Sequence, residues 1–297
     1  MTSPARHCTP TRLLAQRRAA RVTDRRSVDC PAMTNFALAV VGGGNMGAAL
    51  VGGLLRSGLV ADQIAVVEVI EARRAVVAEM FPGVAVVAEI PRCGAAVIAV
   101  KPNDAAAAAG DAAAVGAQRI LSVAAGISVA SLQFAVGDRV AVIRSIPNTP
   151  ALVGQGAAAI CAGPSAVEAD LVWAEEILGA VGTVVRVSEK QLDAVTGLVG
   201  SGPAYVFMIA EALIDAGVLV GLPRLTSEAL VRQLLVGSAA LLDDRGDPAT
   251  LRAMVTSPGG TTAAGLRVME QHGVRSAMLE AVVAATKRSA ELGLSTH

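Results

Sequence analysis

The sequence FALAVVGGGNMG, Phe36–Gly47, decides the fold of this chain. Its leading apolar run predicts a strand buried on both faces, because it shows no polar alternation. The spacing of Gly42, Gly44 and Gly47 is typical of the turn that brings a dinucleotide pyrophosphate to the N-terminus of a helix. Helical periodicity follows directly. We therefore predict the first strand, loop and helix of a dinucleotide-binding domain.

Further apolar runs alternate with helical periodicity along the next part of the chain. The predicted strands are Phe36–Val41, Ile64–Val67, Val84–Val87, Ala95–Val100, Ile120–Val123, Val140–Ile143, Ala157–Cys161 and Thr183–Val187. This alternation predicts a doubly wound parallel sheet of the Rossmann type. From residue 190 the helical pattern is almost continuous. We expect a dinucleotide-binding domain over residues 33–189 and an all-α domain over residues 190–297.

Basic residues are concentrated at the N-terminus. Residues 1–32 hold seven arginines and two acids, whereas the rest of the chain holds 18 basic and 23 acidic residues. Three interpretations of this segment stay open: a transit peptide, a basic arm, or a start codon assigned too early. We favour the last, with translation beginning at Met33, because the first predicted strand follows Met33 closely. The mildly acidic remainder argues against nucleic-acid binding.

Composition limits the possible classes of protein. The chain has 297 residues, 53% apolar and 17% charged, so we expect a folded core. No apolar run reaches the ~18 residues of a membrane span without interruption, and we expect no membrane association. Few His and widely spaced Cys predict no metal site and a reducing, cytoplasmic environment. The apolar surplus is mostly Ala and Val, whose small side chains bury little area, which favours a homo-oligomer.

Glu68 bears on the choice of nucleotide. It lies 21 residues after Gly47, at the end of the second predicted strand. A carboxylate there can bond the ribose of NAD and would repel the 2′-phosphate of NADP. Arg73 and Arg74 follow and could pair with that phosphate, or could simply form a solvated helix face. The sequence leaves NADPH or NADH as the cofactor, with a slight preference for NADH.

Three segments rich in glycine and proline remain. Residues 146–151, IPNTPA, predict a rigid loop after a strand, and residues 200–205, GSGPAY, open a long helix. Residues 256–262, TSPGGTT, precede another helix, whose free N–H groups would form a cradle for a carboxylate. Because Ser and Thr before a helix usually cap it, capping by Thr261 and Thr262 is the alternative.

Together these segments resemble the pyrroline-5-carboxylate reductases, from about residue 36 to residue 292. The matching stretches are VGGGNMG (41–47), AVKP (99–102), PNTPALVGQG (147–156), LDAVTGLVGSGPAYVF (192–207), VTSPGGTTAAGL (255–266) and AGLRVME (264–270). The resemblance implies reduction of 1-pyrroline-5-carboxylate to proline, the last step of proline biosynthesis, by hydride transfer from a nicotinamide. It also implies a homodimer formed through the helical domains, and in many members a larger ring of dimers.

The resemblance assigns roles to individual residues. The substrate carboxylate would lie on the N–H groups of Gly260, Thr261 and Thr262, with Ser257 and Gly259 beside them. The Thr262 hydroxyl would be catalytic, near the ring nitrogen. The residues expected to bind the cofactor are Gly42, Gly44, Asn45, Met46, Gly47, Glu68, Arg73, Ala99, Val100, Lys101, Pro102, Ala124, Ala125 and Asn148.

Two positions depart from the family pattern, and two have simpler interpretations. Ile146 replaces the usual Met before Pro-Asn-Thr-Pro, an apolar exchange from which we expect little effect. Glu68 replaces the small hydroxyl residues of many NADP-preferring members, which puts the usual NADPH preference in doubt. Lys101 could simply end a strand in solvent, and Asn148 could simply stabilise a turn.

Two other functions compete with reduction of a cyclic imine. The 3-hydroxyacid dehydrogenases share a similar glycine loop and a helical second domain, but they need a catalytic Lys in the long helix. Residues 197–211 contain no Lys. The other alternative is a non-catalytic NAD(P)-binding sensor or scaffold, since a fold does not guarantee a function. The intact SPGGTT segment argues against this alternative.

Overall fold

An eight-stranded sheet forms the centre of the molecule. The computed structural model describes residues 35–294, so the interpretations of residues 1–32 lie outside the described residues. The strands are β1 Phe36–Val41, β2 Ile64–Val67, β3 Ala85–Val87, β4 Cys93–Ile98, β5 Arg119–Ser122, β6 Ala141–Ile146, β7 Gly156–Ala162 and β8 Gly182–Arg186. Their spatial order is β3-β2-β1-β4-β5-β6-β7-β8. The order reverses between β1 and β4, which is where α/β sheets form a ligand crevice.

The predicted parallel sheet is confirmed, with one reversal. β7 runs antiparallel to β6, whereas every other neighbouring pair is parallel. The connection explains the reversal, because residues 147–155 form only a loop with a 3-10 turn at Thr149–Val153. A parallel crossover needs about a dozen residues or more, usually including a helix. β4 also begins and ends two residues earlier than predicted, so Ala99 and Val100 follow the strand.

Helices cover both faces of the sheet. They are α1 Asn45–Arg56, α2 Glu71–Met80, α3 Pro102–Ala114, α4 Val129–Val136 and α5 Glu168–Gly179. Since successive strand residues point to opposite faces, Val40 and Val97 belong to the core shared with α1 and α5, whereas Ala39 and Ala96 belong to the core shared with α3 and α4. The side chains that α3 buries are all alanines. Many of the chain's alanines therefore lie in the core, where small side chains pack against the sheet.

The sequence analysis did not predict α4. The helix begins where the Ser128 hydroxyl accepts a hydrogen bond from the Ser131 N–H at 3.1 Å. It ends at Gly137, whose φ of 77° lies in the region that favours glycine. Although its length is only eight residues, it buries Leu132 against the sheet.

Helical structure begins at Glu189 and continues to Leu294, as the sequence predicted. After a 3-10 turn at Glu189–Gln191 come α6 Leu192–Val195, a π-helical turn at Thr196–Gly200, α7 Gly202–Leu219, α8 Arg224–Arg245, α9 Pro248–Met254, α10 Thr261–Gln271 and α11 Val274–Leu294. The π-helical turn packs closely on α11, because a Cβ on Gly197 would meet the Val282 carbonyl and Thr286. The Ser289 hydroxyl adds a hydrogen bond to the Asp193 carboxylate at 2.7 Å.

The surface of this helical region is unusually apolar. No residue of α7 is buried, and large side chains such as Phe207, Leu219 and Leu225 are exposed. By length and composition alone, two helical stretches, 189–219 and 224–245, could cross a membrane. Apolar surface of this extent on a single chain is typical of an interaction face. The expectation of no membrane association stays a prediction.

Candidate active site

The glycine-rich loop lies at the carboxyl ends of β1, β2 and β4. Gly42 has a φ of 114°, and its N–H donates to the Val67 carbonyl at 2.8 Å. A Cβ on Gly42 would collide with the Ala99 carbonyl, and a Cβ on Gly47 would collide with the Gly42 carbonyl. The chain itself therefore requires glycine at both positions, and the predicted strand–loop–helix is confirmed.

Gly44 differs, because a Cβ there would meet nothing within 4 Å among the described residues. It is the N-cap of α1, and no side chain caps the helix. The first N–H groups of an uncapped helix carry a positive dipole end and attract phosphates. Asn45 and Met46 provide two of these N–H groups. The open side of the loop thus fits the close approach of a pyrophosphate, so these residues suit a dinucleotide.

Glu68 lies against this loop, as its position in the sequence predicted. Its side chain is nearly buried, with 7% of the residue exposed. One carboxylate oxygen accepts a hydrogen bond from the Gly43 N–H at 3.2 Å, and the other accepts one from the Ile70 N–H at 3.0 Å. Arg73 is exposed on α2, whereas Arg74 donates to the carbonyl oxygens of Glu68 and Val69, both at 2.9 Å.

The predicted nicotinamide edge follows β4 and β5. Ala99 continues the β1–β4 ladder, since its N–H donates to the Val41 carbonyl at 2.7 Å. Val100 is half-buried, and Lys101 is the exposed N-cap of α3, with Pro102 as its first residue. After β5, Ala124 is buried and Ala125 is exposed. These residues share one edge of the sheet with Gly42.

A cavity of about 420 Å³ joins this edge to the helical region. Its lining includes Pro102 and Ala125 from the sheet edge and Thr196, Ser201 and Arg288 from the helices. The last three were not among the predicted site residues. The GSGPAY segment was the available signal for Ser201, but helical periodicity does not reveal which of its side chains faces the sheet.

A π-helical turn places Ser201 at this cavity. The Ser201 N–H donates to the Thr196 carbonyl at 2.8 Å, five residues back, which widens the helix. The Thr196 hydroxyl bonds the Leu192 carbonyl at 2.9 Å, and the Tyr205 hydroxyl bonds the Gly197 carbonyl at 3.2 Å. π-helical turns are rare in proteins, and those that do occur are frequently found at functional sites.

Asn148 joins two segments and is not among the residues that line the cavity. Its side-chain oxygen accepts a hydrogen bond from the Ala157 N–H at 2.8 Å, which closes the loop between β6 and β7. Its side-chain nitrogen donates to the Val199 carbonyl at 3.2 Å, inside the π-helical turn. Asn148 therefore holds the π-helical turn that carries Ser201. This goes beyond the simpler interpretation, in which Asn148 only stabilises the loop that it belongs to.

The segment from Ser257 to Thr262 forms a tight turn before α10. The Gly260 N–H donates to the Ser257 carbonyl at 3.0 Å, and Gly259 has a φ of 68°. Gly260 is the N-cap, and no side chain caps the helix, so the described structure does not show the capping role considered for Thr261 and Thr262. The turn thus presents an uncapped helix N-terminus with two hydroxyls beside it. It does not line the cavity at the sheet edge within one chain.

Two buried thiols are poorly suited to act as nucleophiles. Burial raises the pKa of Cys93 and that of Cys161 to about 11, and the nearby Glu189 carboxylate adds to the rise at Cys161. Both thiols are therefore protonated near neutral pH.

Comparison with known families gives the two parts of the chain separate matches. Residues 189–292 match the family described as pyrroline-5-carboxylate reductase dimerisation. Residues 37–126 match the family described as NADP oxidoreductase, coenzyme F420-dependent. The second match covers the glycine loop, Glu68 and the nicotinamide edge. The first covers the apolar helices and the turn before α10.

Individual relatives match either a part of the chain or nearly all of it. A pyrroline-5-carboxylate reductase of Synechocystis is 49% identical over 175 residues, which span 59% of this chain and 65% of that protein. The structure of Plasmodium falciparum pyrroline carboxylate reductase with NADP bound has a TM-score of 0.76 and 29% identity, covering 88% of this chain and 100% of that one. A pyrroline-5-carboxylate reductase of Mycobacterium leprae is 38% identical over 287 residues, covering 88% of this chain and 98% of the relative. This chain therefore belongs to the pyrroline-5-carboxylate reductase family.

Proposed function

We propose that this chain reduces 1-pyrroline-5-carboxylate to proline with NADPH or NADH, the last step of proline biosynthesis. One observation carries the proposal: an open glycine loop and an uncapped TSPGGTT turn occur in the same chain. The first suits a dinucleotide and the second suits a small carboxylate. A cyclic imine that carries a carboxylate would be held by the second site through its carboxylate and would accept hydride from the nicotinamide of the dinucleotide.

The turn before α10 would bind the substrate carboxylate. The N–H groups of Thr261 and Thr262 lie at the positive end of the helix dipole, and the Ser257 hydroxyl lies close to Gly260. The Gly260 N–H, which the resemblance also assigns to the carboxylate, already donates to the Ser257 carbonyl at 3.0 Å. A Cβ on Gly260 would meet the Ser257 hydroxyl, so a larger residue would require that side chain to turn away. Gly259 gives the turn its left-handed residue. Charge-assisted bonds of this kind fix the ring in one orientation.

Thr262 would act on the ring nitrogen. Its hydroxyl is half-buried one residue inside the helix, next to the carboxylate cradle. A hydroxyl can hold the protonated imine or pass a proton to the nitrogen, because it both donates and accepts. The nicotinamide, when bound, supplies hydride to the carbon of the C=N bond. Since a protonated imine readily accepts hydride, the main task of the protein is orientation, which can contribute roughly 7–11 kcal/mol.

The site would be completed by a second copy of the chain. Within one chain the Ser257–Thr262 segment does not share the cavity that Pro102 and Ala125 line. The exposed apolar side chains of α7 and α8 belong to the part that matches a dimerisation family. A homodimer formed through these helices would cover that apolar surface. We propose further that dimers assemble into a larger ring, and that the enzyme acts in the cytoplasm.

The alternative functions lack a supporting observation. A 3-hydroxyacid-type dehydrogenase would need a Lys on the helix after the sheet, and Thr196 and Ser201 occupy the cavity there. A non-catalytic NAD(P)-binding sensor or scaffold would have no use for a carboxylate cradle.

The product of the reaction tests this proposal. The full chain would be incubated with 1-pyrroline-5-carboxylate and a reduced cofactor that carries deuterium at both C4 positions of the nicotinamide, and the products would be analysed by NMR. We expect proline that carries one deuterium at Cδ, the carbon of the former C=N bond. Cofactor that binds but is not consumed would refute the proposal and favour the sensor.

A further inference from the structure

Glu68 lies where the adenosine end of a nucleotide bound to the glycine loop would be. Two backbone N–H groups, of Gly43 and Ile70, hold its carboxylate next to the glycine loop. In a nucleotide bound to this loop, the adenosine ribose lies beside the residue that ends the second strand. Because the carboxylate is nearly buried and accepts two hydrogen bonds, it cannot easily rotate away from that ribose. A carboxylate in this position accepts from a 2′-hydroxyl and repels a 2′-phosphate.

Of the two neighbouring arginines, Arg73 is exposed, and Arg74 already uses one guanidinium nitrogen. Arg74 directs one guanidinium nitrogen at the carbonyl oxygens of Glu68 and Val69, both at 2.9 Å. These bonds fasten the loop after β2 and keep that nitrogen turned toward the backbone. To clamp a phosphate with the same nitrogen, Arg74 would have to give up both bonds. The structure thus uses Arg74 to support the loop that carries Glu68.

The adjoining cavity is apolar apart from three acidic residues. It has a volume of about 710 Å³ and lies between the loops after β2 and β3 and the helix α3. Glu89, Asp104 and Asp111 line it, and no Lys, Arg or His does so among the described residues. Like charges raise the cost of bringing in a further anion. An adenosine ribose without a phosphate adds no charge here, whereas a 2′-phosphate would add about two.

From these observations we propose that the enzyme selects NADH over NADPH, and that Glu68 is the residue that makes the selection. The inference rests on the proposed function only in assuming that the glycine loop binds a nicotinamide dinucleotide. It differs from what the NADP-bound Plasmodium relative would suggest, and it depends on residues of this chain alone.

Direct binding tests the selection without any turnover. Kd values for NADH and NADPH would be measured on the full chain by titration calorimetry in the absence of substrate. We expect NADH to bind at least about tenfold more tightly than NADPH. Glu68→Ser should bring the two Kd values together or invert them, mainly by improving NADPH binding. Glu68→Gln, which keeps the size of the side chain and removes its charge, should shift the ratio in the same direction.

Two further variants separate this account from its alternatives. Arg74→Ala should leave the ratio of the two Kd values within about threefold of wild type, because Arg74 supports the loop for both nucleotides. Glu79→Ser removes an exposed carboxylate from the same helix, α2, and should not change the ratio. Thermal unfolding of each variant checks that it is folded.

Several results would overturn the proposal. These are tighter binding of NADPH by the wild-type chain, a ratio unchanged in both Glu68 variants, or a selective loss of NADPH binding in Arg74→Ala. Each of them would leave the reductase function standing. Failure of both nucleotides to bind would instead refute the proposed function together with this proposal.

Discussion

Asn148→Ala is the substitution that most sharply separates a structural role from a catalytic one. Asn148 makes two side-chain hydrogen bonds, to Ala157 at 2.8 Å and to Val199 at 3.2 Å. At about 0.5–1.5 kcal/mol each, their loss should lower the free energy of unfolding by about 1–3 kcal/mol. For a unit of this size, that corresponds to a fall of roughly 2–10 °C in Tm.

The same substitution should reduce activity although Asn148 does not line the cavity. Without the bond to Val199, the π-helical turn is held less firmly, and Ser201 moves with it. We expect kcat to fall by about tenfold or more, because moving a group that orients the substrate by about 1 Å can greatly lower the rate. Nucleotide Kd should change by less than about threefold, since the glycine loop is separate.

Calorimetry and steady-state kinetics on three variants test this reasoning. Asn148→Asp keeps the acceptor for the Ala157 N–H and loses the donor to Val199, so it should retain part of the stability but share the loss of kcat. Gln155→Ala, an exposed side chain in the same loop, is the matched control and should resemble wild type. If Asn148→Ala has wild-type Tm and kcat, the two hydrogen bonds do not hold the turn and the argument is refuted.

Three other predictions concern single side chains. Thr262→Ala should lower turnover of 1-pyrroline-5-carboxylate while Kd for the cofactor stays within about threefold, since one neutral hydrogen bond is worth roughly 0.5–1.5 kcal/mol; unchanged turnover would remove Thr262 from the mechanism. Ser201→Ala should lower kcat/KM with little effect on Tm, and a fall in Tm alone would make Ser201 structural. Cys93 and Cys161, with pKa values of about 11, should resist alkylation at pH 8 and react on unfolding, as peptide mass spectrometry would show. Rapid labelling of the folded protein would contradict their burial.

Those parts of the fold that depend on local pattern were predictable. Buried strands show as apolar runs, and the glycine spacing located the loop together with Glu68. The reversal at β7 was not predictable in the same way. An apolar run such as AICA does not show whether its strand is parallel or antiparallel to the neighbouring strand, because this depends on the connection between the two. α4 was missed because it is short, and its signal, Ser128 before an apolar run, also suits a strand.

The site was predictable only where backbone conformation demands a particular residue. Gly42 and Gly47 stand where a Cβ would collide with a backbone carbonyl, so their identity carries structural information. Ser201 and Thr196 could not be found in this way, because a π-helical turn shifts which side chains face the sheet and leaves no periodic signature. The link from Asn148 to Val199 spans 51 residues and exists only in the folded chain.

The central claim, reduction of a cyclic imine, is tested most directly by the initial rate of nicotinamide oxidation. NADH and NADPH would each be followed by absorbance with the full chain, with and without 1-pyrroline-5-carboxylate. We expect oxidation to depend on the imine, to saturate with its concentration and to be faster with NADH at low cofactor concentration. Tight binding of either nucleotide with no imine-dependent oxidation would contradict it.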